Sequence, residues 1–136
     1  MPGGSRPIPK ASPETAPYWE AASRGELCIQ LCNGCDKFYF YPRPACPECG
    51  SRDVEWVKVS GRARLHTYLI NHLPARGFEE RGPYAIAVVE LHEGPRLMSN
   101  IVGIANTPEE LVLDMELRVD FEQLGEMSLP VFRPVT

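Results

Sequence analysis

Two C-x-x-C turns constrain this chain more than any other segment. Cys32 and Cys35 form the first pair, and Cys46 and Cys49 form the second pair after a spacer of ten residues. A tight turn can aim two thiolates at one point, so the two pairs together can surround one tetrahedral ion. The spacing is typical of a structural zinc site. The same four thiolates can also take iron, which is the less favoured metal.

The residues around these cysteines support a metal site. Gly34 and Gly50 can supply the left-handed or closely approaching backbone that such turns need, and Pro47 stiffens the second turn. Asp36 follows Cys35, where the second turn has a glycine, so the first turn departs from the commonest form. We therefore predict that all four cysteines bind one structural metal ion.

Disulfide bonds and buried free thiols are the alternatives to a metal site. No apolar segment follows the basic residues of the N-terminus, so we expect no secretory signal peptide and a reducing, cytoplasmic environment. The fifth cysteine, Cys28, lies in the apolar run 27–31. Its position predicts a small buried hydrophobe on a strand, and not a reactive thiol.

Size and charge limit the possible functions. With 136 residues the chain can form one domain, or a small metal-stapled module plus a compact domain. No apolar run approaches the roughly 20 residues of a membrane span, so no membrane contact is expected. The formal net charge is −4, whereas a nucleic-acid-binding protein needs a basic surface. Nucleic-acid binding is therefore disfavoured and stays open as the alternative function.

Sequence patterns divide the chain into three parts. Residues 1–12 are proline-rich and predict a flexible arm or linker. Residues 13–52 predict a short helix from Pro13 to Arg24, capped by Ser12, followed by the metal ribbon with strands at 26–31 and 37–41. Residues 53–136 predict a β domain. Its strands are expected at 54–59, 62–73, 84–91, 96–104, 115–124 and 127–132.

The predicted fold class is mainly β, with an N-terminal helix and metal ribbon followed by a small OB-fold barrel. Strand 115–124 alternates apolar and polar residues, whereas residues 84–89 are apolar on both faces and should lie inside the barrel. A hairpin is expected at 93–95, and Thr107 should start a helix of one or two turns. Five or six short strands with such an insertion favour an OB-fold.

Four aromatic residues at 38–41 lie beside the predicted metal site. Packing over the metal is the favoured interpretation, because the ribbon is too small to have another core. A binding surface is the alternative. Both interpretations can hold on different faces of the ribbon.

No residue set indicates catalysis, so we predict no catalytic residue. The three histidines are His66, His72 and His92, and no serine or cysteine forms a nucleophile motif near them. No aspartate, glutamate and histidine stand out as a general acid and base.

The chain resembles the DUF35 family of OB-fold proteins that carry an N-terminal rubredoxin-like zinc ribbon. The similarity runs from about Ala16 to the C-terminus. It rests on residues 18–20, the segment from Cys32 to Cys49 with its Phe40-Tyr41-Pro42-Arg43, residues 50–53, Trp56, Pro83-Tyr84, residues 88–91, residues 94–97 and Asn100.

The resemblance implies a non-catalytic accessory subunit of an acyl-CoA-processing complex, with the four cysteines as structural zinc ligands. The implied partner is a thiolase-superfamily enzyme or a hot-dog-fold enoyl-CoA hydratase. Aldolases that act on CoA thioesters in steroid side-chain degradation are one subset. Some members are fused to a hydratase, so Met1 would then begin an excised domain. A hetero-oligomer is implied, with two copies on a dimeric thiolase-like enzyme.

Two further segments are candidates for contacts with such a complex. Alternation along the second barrel strand places Arg62, Arg64, His66, Tyr68 and His72 on one side. This stripe predicts either an exposed barrel face or a groove for CoA phosphates or an acidic patch, because arginine pairs bidentately with both anions. The loop at 73–82, with Phe78 at its tip, is the second candidate.

Overall fold

The computed structural model describes residues 9–72 and 83–135. The predicted contact loop at 73–82, including Phe78, lies outside these residues. The described elements are α1 (Ala16–Ser23), β1 (Cys28–Cys32), β2 (Phe38–Tyr39), β3 (Val54–Lys58), β4 (Arg62–Asn71), β5 (Tyr84–Leu91), β6 (Arg96–Ser99), β7 (Glu116–Leu124) and β8 (Met127–Pro134). The mainly β fold class with one short N-terminal helix is confirmed.

Helix α1 is shorter than predicted at its N-terminus. It begins at Ala16 instead of Pro13, because residues 13–15 form a turn closed on Ser12. The backbone N–H of Ala16 donates to the Ser12 carbonyl at 2.8 Å, and the Ser12 N–H donates to the Thr15 hydroxyl at 2.8 Å. Gly25, with a φ of 76°, ends the helix as predicted.

The first sheet contains three antiparallel strands in the order β2-β1-β3. Strand β3 pairs with β1 from Cys28 opposite Lys58 to Cys32 opposite Val54. The sequence predicts segment 54–59 as the first strand of the β domain, and in the structure its residues 54–58 are hydrogen-bonded to β1 of the ribbon. Strand pattern alone does not identify the neighbouring strand. The division of the chain into independently folding units stays a prediction.

The second sheet has five strands in the order β6-β5-β4-β7-β8, and every pair in it is antiparallel. The sheet curls until its two ends meet through a parallel bridge between Ile101 and Phe132. There the Val102 N–H donates to the Phe132 carbonyl at 2.8 Å, and the Phe132 N–H donates to the Asn100 carbonyl at 3.0 Å. The result is an OB-like half-barrel, with β5 inside the sheet as predicted.

Two predicted turns have different outcomes. The hairpin at 93–95 joins β5 to β6, and the Leu91 N–H donates to the Pro95 carbonyl at 2.9 Å across it. The segment that begins at Thr107 forms a single turn, closed by the Leu111 N–H on the Thr107 carbonyl at 2.9 Å. It does not extend into a helix before Asp114, whose φ of 68° reverses the chain.

One apolar cluster joins the ribbon, the helix and the half-barrel. Leu65, Leu117 and Phe132 form its centre and are fully buried. Ile29 of β1 and Tyr18 of α1 belong to the same cluster. The end of the ribbon remote from the cysteines is therefore part of the barrel core.

Candidate metal centre

The four cysteines of the C-x-x-C turns meet at one end of the first sheet. Their Sγ atoms all lie within 4.8 Å of one another, and none of these cysteines forms a disulfide. The Sγ atoms of Cys32 and Cys49 are 3.5 Å apart, and those of Cys35 and Cys46 are 3.7 Å apart. Four sulfurs at about 2.3 Å from a tetrahedral zinc ion would be about 3.8 Å apart. The donor set therefore fits one tetrahedral ion.

The two turns have the same backbone hydrogen bond. The Asp36 N–H donates to the Cys32 carbonyl at 2.8 Å, and the Gly50 N–H donates to the Cys46 carbonyl at 2.9 Å. Both residues are left-handed, with φ values of 59° for Asp36 and 78° for Gly50. Aspartate is one of the few residues with a side chain that visit this region routinely, so the first turn forms without glycine.

Gly34 contributes through close approach instead of a left-handed φ. A Cβ atom at this position would lie 3.1 Å from the Ser51 Cβ and 3.5 Å from the Cys32 Sγ. The space beside Gly34 is thus filled by Ser51, which follows the second cysteine turn. A larger residue would push the two pairs of sulfurs apart.

Tyr39 packs on the metal centre, as the favoured interpretation of the aromatic run predicts. Its side chain is buried against Cys32 and Cys46, and its hydroxyl donates to the Arg43 carbonyl at 2.7 Å. The buried Gln30 of β1 holds the same residue from the other side, accepting from the Arg43 N–H at 2.7 Å and donating to its carbonyl at 2.9 Å. These hydrogen bonds hold β1 against the spacer between the two cysteine turns.

The pKa values of the clustered cysteine thiols differ from one another. The backbone hydrogen bonds of Cys49 and Glu48 lower the pKa of Cys46 to about 7. Burial, with hydrogen bonds to the neighbouring thiols, raises the pKa of Cys35 to about 12. Thiolates are the metal-binding form, so a bound ion would replace these protons. Cys28 lies outside the cluster, half-buried in β1, and burial raises the pKa of its thiol.

Phe40 and Tyr41 of the run line a groove that the sequence did not predict, whereas Phe38 packs against the core cluster. The Phe40 ring centroid lies 5.5 Å from that of Tyr18 and 4.6 Å from that of Tyr41. The groove has a volume of about 250 Å³, and it lies where α1, the ribbon and the half-barrel meet. We call it the seam groove, and its lining includes Tyr18, Trp19, Phe40, Tyr41, Met98 and Pro130. Its only sequence signal is the two aromatic pairs, whose contact depends on the tertiary fold.

The predicted stripe on β4 is interrupted by a bulge. The pairing with β5 shifts between Leu65 and Thr67, at His66. The shift turns Tyr68 towards the core cluster, so the expectation that Tyr68 shares a face with the arginines is wrong. Arg62, Arg64, His66 and His72 are exposed.

Arg64 is engaged by a neighbouring carboxylate. Glu90 of β5 lies directly opposite Arg64 and accepts a hydrogen bond from its Nη2 at 3.0 Å, while Arg96 of β6 donates to the other carboxylate oxygen at 3.3 Å. Arg64 and then Arg96 lower the pKa of Glu90. The positive charge that a CoA or nucleic-acid groove would need is partly neutralised here. With Tyr39 buried as well, both features that supported nucleic-acid binding are weakened.

The histidines do not form a catalytic arrangement in the described residues. His92 lies 3.5 Å from a carboxylate oxygen of Glu116. Within residues 9–72 and 83–135, no histidine side chain hydrogen-bonds to a serine, threonine or cysteine side chain. The same part of the chain contains no helix long and apolar enough to cross a bilayer.

Two family descriptions match the chain in succession. The description "ChsH2, rubredoxin-like zinc ribbon domain" matches residues 19–55, and "ChsH2, C-terminal OB-fold domain" matches residues 56–122. A "DUF35 domain-containing scaffold protein" of Methanothermobacter thermautotrophicus is 33% identical over 115 residues, which are 83% of this chain and 85% of the relative. The chain belongs to the DUF35 family. The predicted resemblance is confirmed.

The chain is also similar to two proteins that are named as enzymes or enzyme subunits. A "Probable enoyl-CoA hydratase alpha subunit" of Thermomonospora curvata is 40% identical over 134 residues, which are 98% of this chain. The chain spans only 41% of that relative's length. Among solved structures, a chain of the "Ltp2-ChsH2(DUF35) aldolase" matches with a TM-score of 0.83 and 38% identity, covering 95% of this chain and 100% of that one.

Proposed function

We propose that this DUF35 chain is a non-catalytic accessory subunit of an acyl-CoA-processing complex that contains a thiolase-superfamily enzyme. The observation that carries the proposal is the match with a chain of the Ltp2-ChsH2(DUF35) aldolase, which covers the whole of that chain. In the described residues the chain offers an apolar groove and a cluster of four cysteines that can hold a metal, and no histidine there hydrogen-bonds to a serine, threonine or cysteine side chain. Both features are better suited to binding a partner protein than to catalysis.

The metal in this proposal is zinc, with a structural role. Cys32, Cys35, Cys46 and Cys49 would hold it, and the ion would link the two turns where the ribbon has few apolar residues of its own. Their unpaired thiols also fit a reducing compartment, so we place the complex in the cytoplasm. Metal analysis of the purified protein tests the assignment. Stoichiometric zinc in a colourless protein is expected, and a coloured iron-containing protein would contradict it.

The chemistry of the partner is a finer part of the proposal. The aldolase match favours carbon–carbon bond cleavage on a CoA thioester, and a steroid side-chain thioester is the substrate that we propose. The Thermomonospora curvata relative instead carries a hydratase name, which favours a hot-dog-fold hydratase as a second partner. The two partnerships are compatible if the chain serves adjacent steps on one thioester.

The seam groove is our candidate for the face that contacts the partner. Tyr41 and Met98 leave 51% and 60% of their surface exposed and line the same groove, so they form an exposed apolar patch together. Tyr41→Asp and Met98→Asp should therefore weaken the complex. Leu113→Asp is the matched control, because Leu113 is 56% exposed and does not line the groove.

Co-expression with a thiolase-like enzyme from the same genome tests the proposal as a whole. The two chains should elute together, and the complex should cleave a CoA thioester that neither chain cleaves alone. Independent elution, together with full activity of the enzyme without this chain, would contradict the proposed function. A parallel co-expression with a hydratase distinguishes the two partnerships.

A further inference from the structure

Three arginines lie side by side on the outer face of the curled sheet. Arg62 of β4 is directly opposite Arg118 of β7, and Arg118 is directly opposite Arg133 of β8. The residue that precedes or follows each of them in its strand is fully buried, so the three side chains point away from the core. We call these residues the arginine row. The sequence grouped Arg62 with Arg64 along one strand and did not indicate this row across three strands.

In the described part of the chain, the two exposed members of the row, Arg62 and Arg118, make no ion pair. Like charges directly opposite each other destabilise an antiparallel pair. Arg64 meets Glu90 across the sheet at 3.0 Å, whereas no ion pair joins Arg62 or Arg118 to a carboxylate in the described residues. This local excess of positive charge occurs in a chain whose net charge is −4.

The nearby carboxylates are engaged elsewhere or at the edge of the row. The backbone N–H of Phe121 and the side chain of Arg133 lower the pKa of Asp120, whose Oδ2 lies 2.6 Å from the Arg133 Nη2. Glu116 lies 3.5 Å from the Nε2 of His92. The Arg133 Nε is buried and has no hydrogen-bond partner. Arg118 also attracts Asp120 electrostatically, but it makes no ion pair with it. In the described residues, the row therefore keeps two guanidinium groups, those of Arg62 and Arg118, that no carboxylate occupies.

The guanidinium groups of the arginine row are suited to binding a phosphate group. A guanidinium offers a planar fork of donors that matches phosphate oxygens, and neighbouring strands are about 4.8 Å apart, so two forks can reach one phosphate or diphosphate. We propose that the arginine row binds the phosphate groups of a small-molecule ligand, with Arg62 and Arg118 as direct contacts and Arg133 at the edge. The inference goes beyond the proposed function and does not depend on any partner.

Titration of the metal-loaded chain with inorganic pyrophosphate at low ionic strength tests the site. Isothermal titration calorimetry should show saturable binding by the natural chain. The double variant Arg62→Gln/Arg118→Gln should bind at least about tenfold more weakly, because charge-assisted hydrogen bonds are lost. Arg96→Gln is the matched control, since Arg96 is exposed on the same sheet but is held by Glu90. Its affinity for pyrophosphate should be unchanged.

Thermal unfolding gives a second measurement on the same proteins. Without pyrophosphate, the double variant should unfold at the same or a higher temperature, because a like-charge pair is removed. Pyrophosphate should raise the unfolding temperature of the natural chain and of the control, but not that of the double variant. Equal weakening in the double variant and the control would overturn the inference, because it would indicate diffuse charge attraction. Absence of saturable binding by the natural chain would also overturn it.

Discussion

At the scale of single residues, the five cysteines occupy two different environments. The Sγ atoms of Cys32, Cys35, Cys46 and Cys49 converge within 4.8 Å, whereas Cys28 lies alone in β1. Replacement of a cysteine in the cluster should remove one ligand and with it the metal of the whole site. Replacement of an isolated cysteine should remove only a small apolar contact. The two environments therefore supply both a test and its control.

Cys46→Ser should abolish stoichiometric metal binding and lower the unfolding temperature, since three thiolates cannot complete a closed tetrahedral site. Complex formation with the partner should fail with it, because the seam groove includes Phe40 and Tyr41 from the spacer between the turns. Cys28→Ser should keep the metal and the complex. Metal analysis and co-elution check both variants, and full metal content in Cys46→Ser would contradict the four-cysteine site.

At the scale of elements, Gly61 fixes the entry of the chain into β4. Its φ is 78°, and a Cβ atom here would lie 2.5 Å from the Val119 Cγ1. The Val119 N–H also donates to the Gly61 carbonyl at 2.8 Å, so β7 cannot move away without losing a hydrogen bond. Any residue with a Cβ atom at position 61 would therefore suffer both backbone strain and steric overlap.

Gly61→Ala should lower the free energy of unfolding by about 2–4 kcal/mol, from left-handed strain and overpacking together. Gly25→Ala is the matched control, because its φ is 76° and no atom lies within 4 Å of the added Cβ. It should cost only the strain, about 1–2 kcal/mol. Chemical denaturation measures the difference. Equal costs in the two variants would show that the contact with Val119 relaxes freely.

The Arg64–Glu90–Arg96 ladder across β4, β5 and β6 predicts a pH dependence. The hydrogen bonds from Arg64 and Arg96 lower the pKa of Glu90 below its ordinary value of 4.5, so the ionised carboxylate stabilises the folded chain. That contribution is fully present above about pH 4.5 and is lost as the pH falls through the lowered folded-state pKa. Glu90 thus stabilises the sheet at neutral pH and not in acid.

Glu90→Gln should therefore unfold at a lower temperature than the natural chain at pH 7, and the difference should shrink as the pH falls below 4.5 and through the lowered folded-state pKa of Glu90. High salt should reduce the difference at pH 7, because exposed ion pairs are screened. Glu14→Gln is the control, because Glu14 is exposed and makes no ion pair in the described residues, and it should unfold at the same temperature as the natural chain at pH 7. A difference that persists at low pH would contradict the ladder.

At the scale of the whole molecule, one apolar cluster connects parts that the sequence divided into two units. Ile29 and Leu27 of the ribbon segment and Tyr18 of α1 pack in the same cluster as Leu65 and Phe132 of the half-barrel. Loosening the ribbon should therefore expose apolar surface of the barrel. We therefore expect metal binding and barrel stability to be coupled through this shared core.

Removal of the metal by a strong chelator should lower the unfolding temperature of the whole chain in a single transition, because the binding free energy of a structural zinc site contributes to folding. Differential scanning calorimetry with and without chelator measures the effect. Two separate transitions, the upper one insensitive to chelator, would show that the half-barrel folds independently of the ribbon.

The sequence by itself determined the features that depend on local spacing. The cysteine turns, the alternating strand 115–124 and the hairpin at 93–95 follow from residues close together in the chain, so the convergence of the four cysteines and most of the strands were predictable. The tertiary structure alone decided the partner of β3, the inward turn of Tyr68 after the bulge, the seam groove and the arginine row. These depend on strand register and on contacts between distant segments, which a pattern along one strand does not contain.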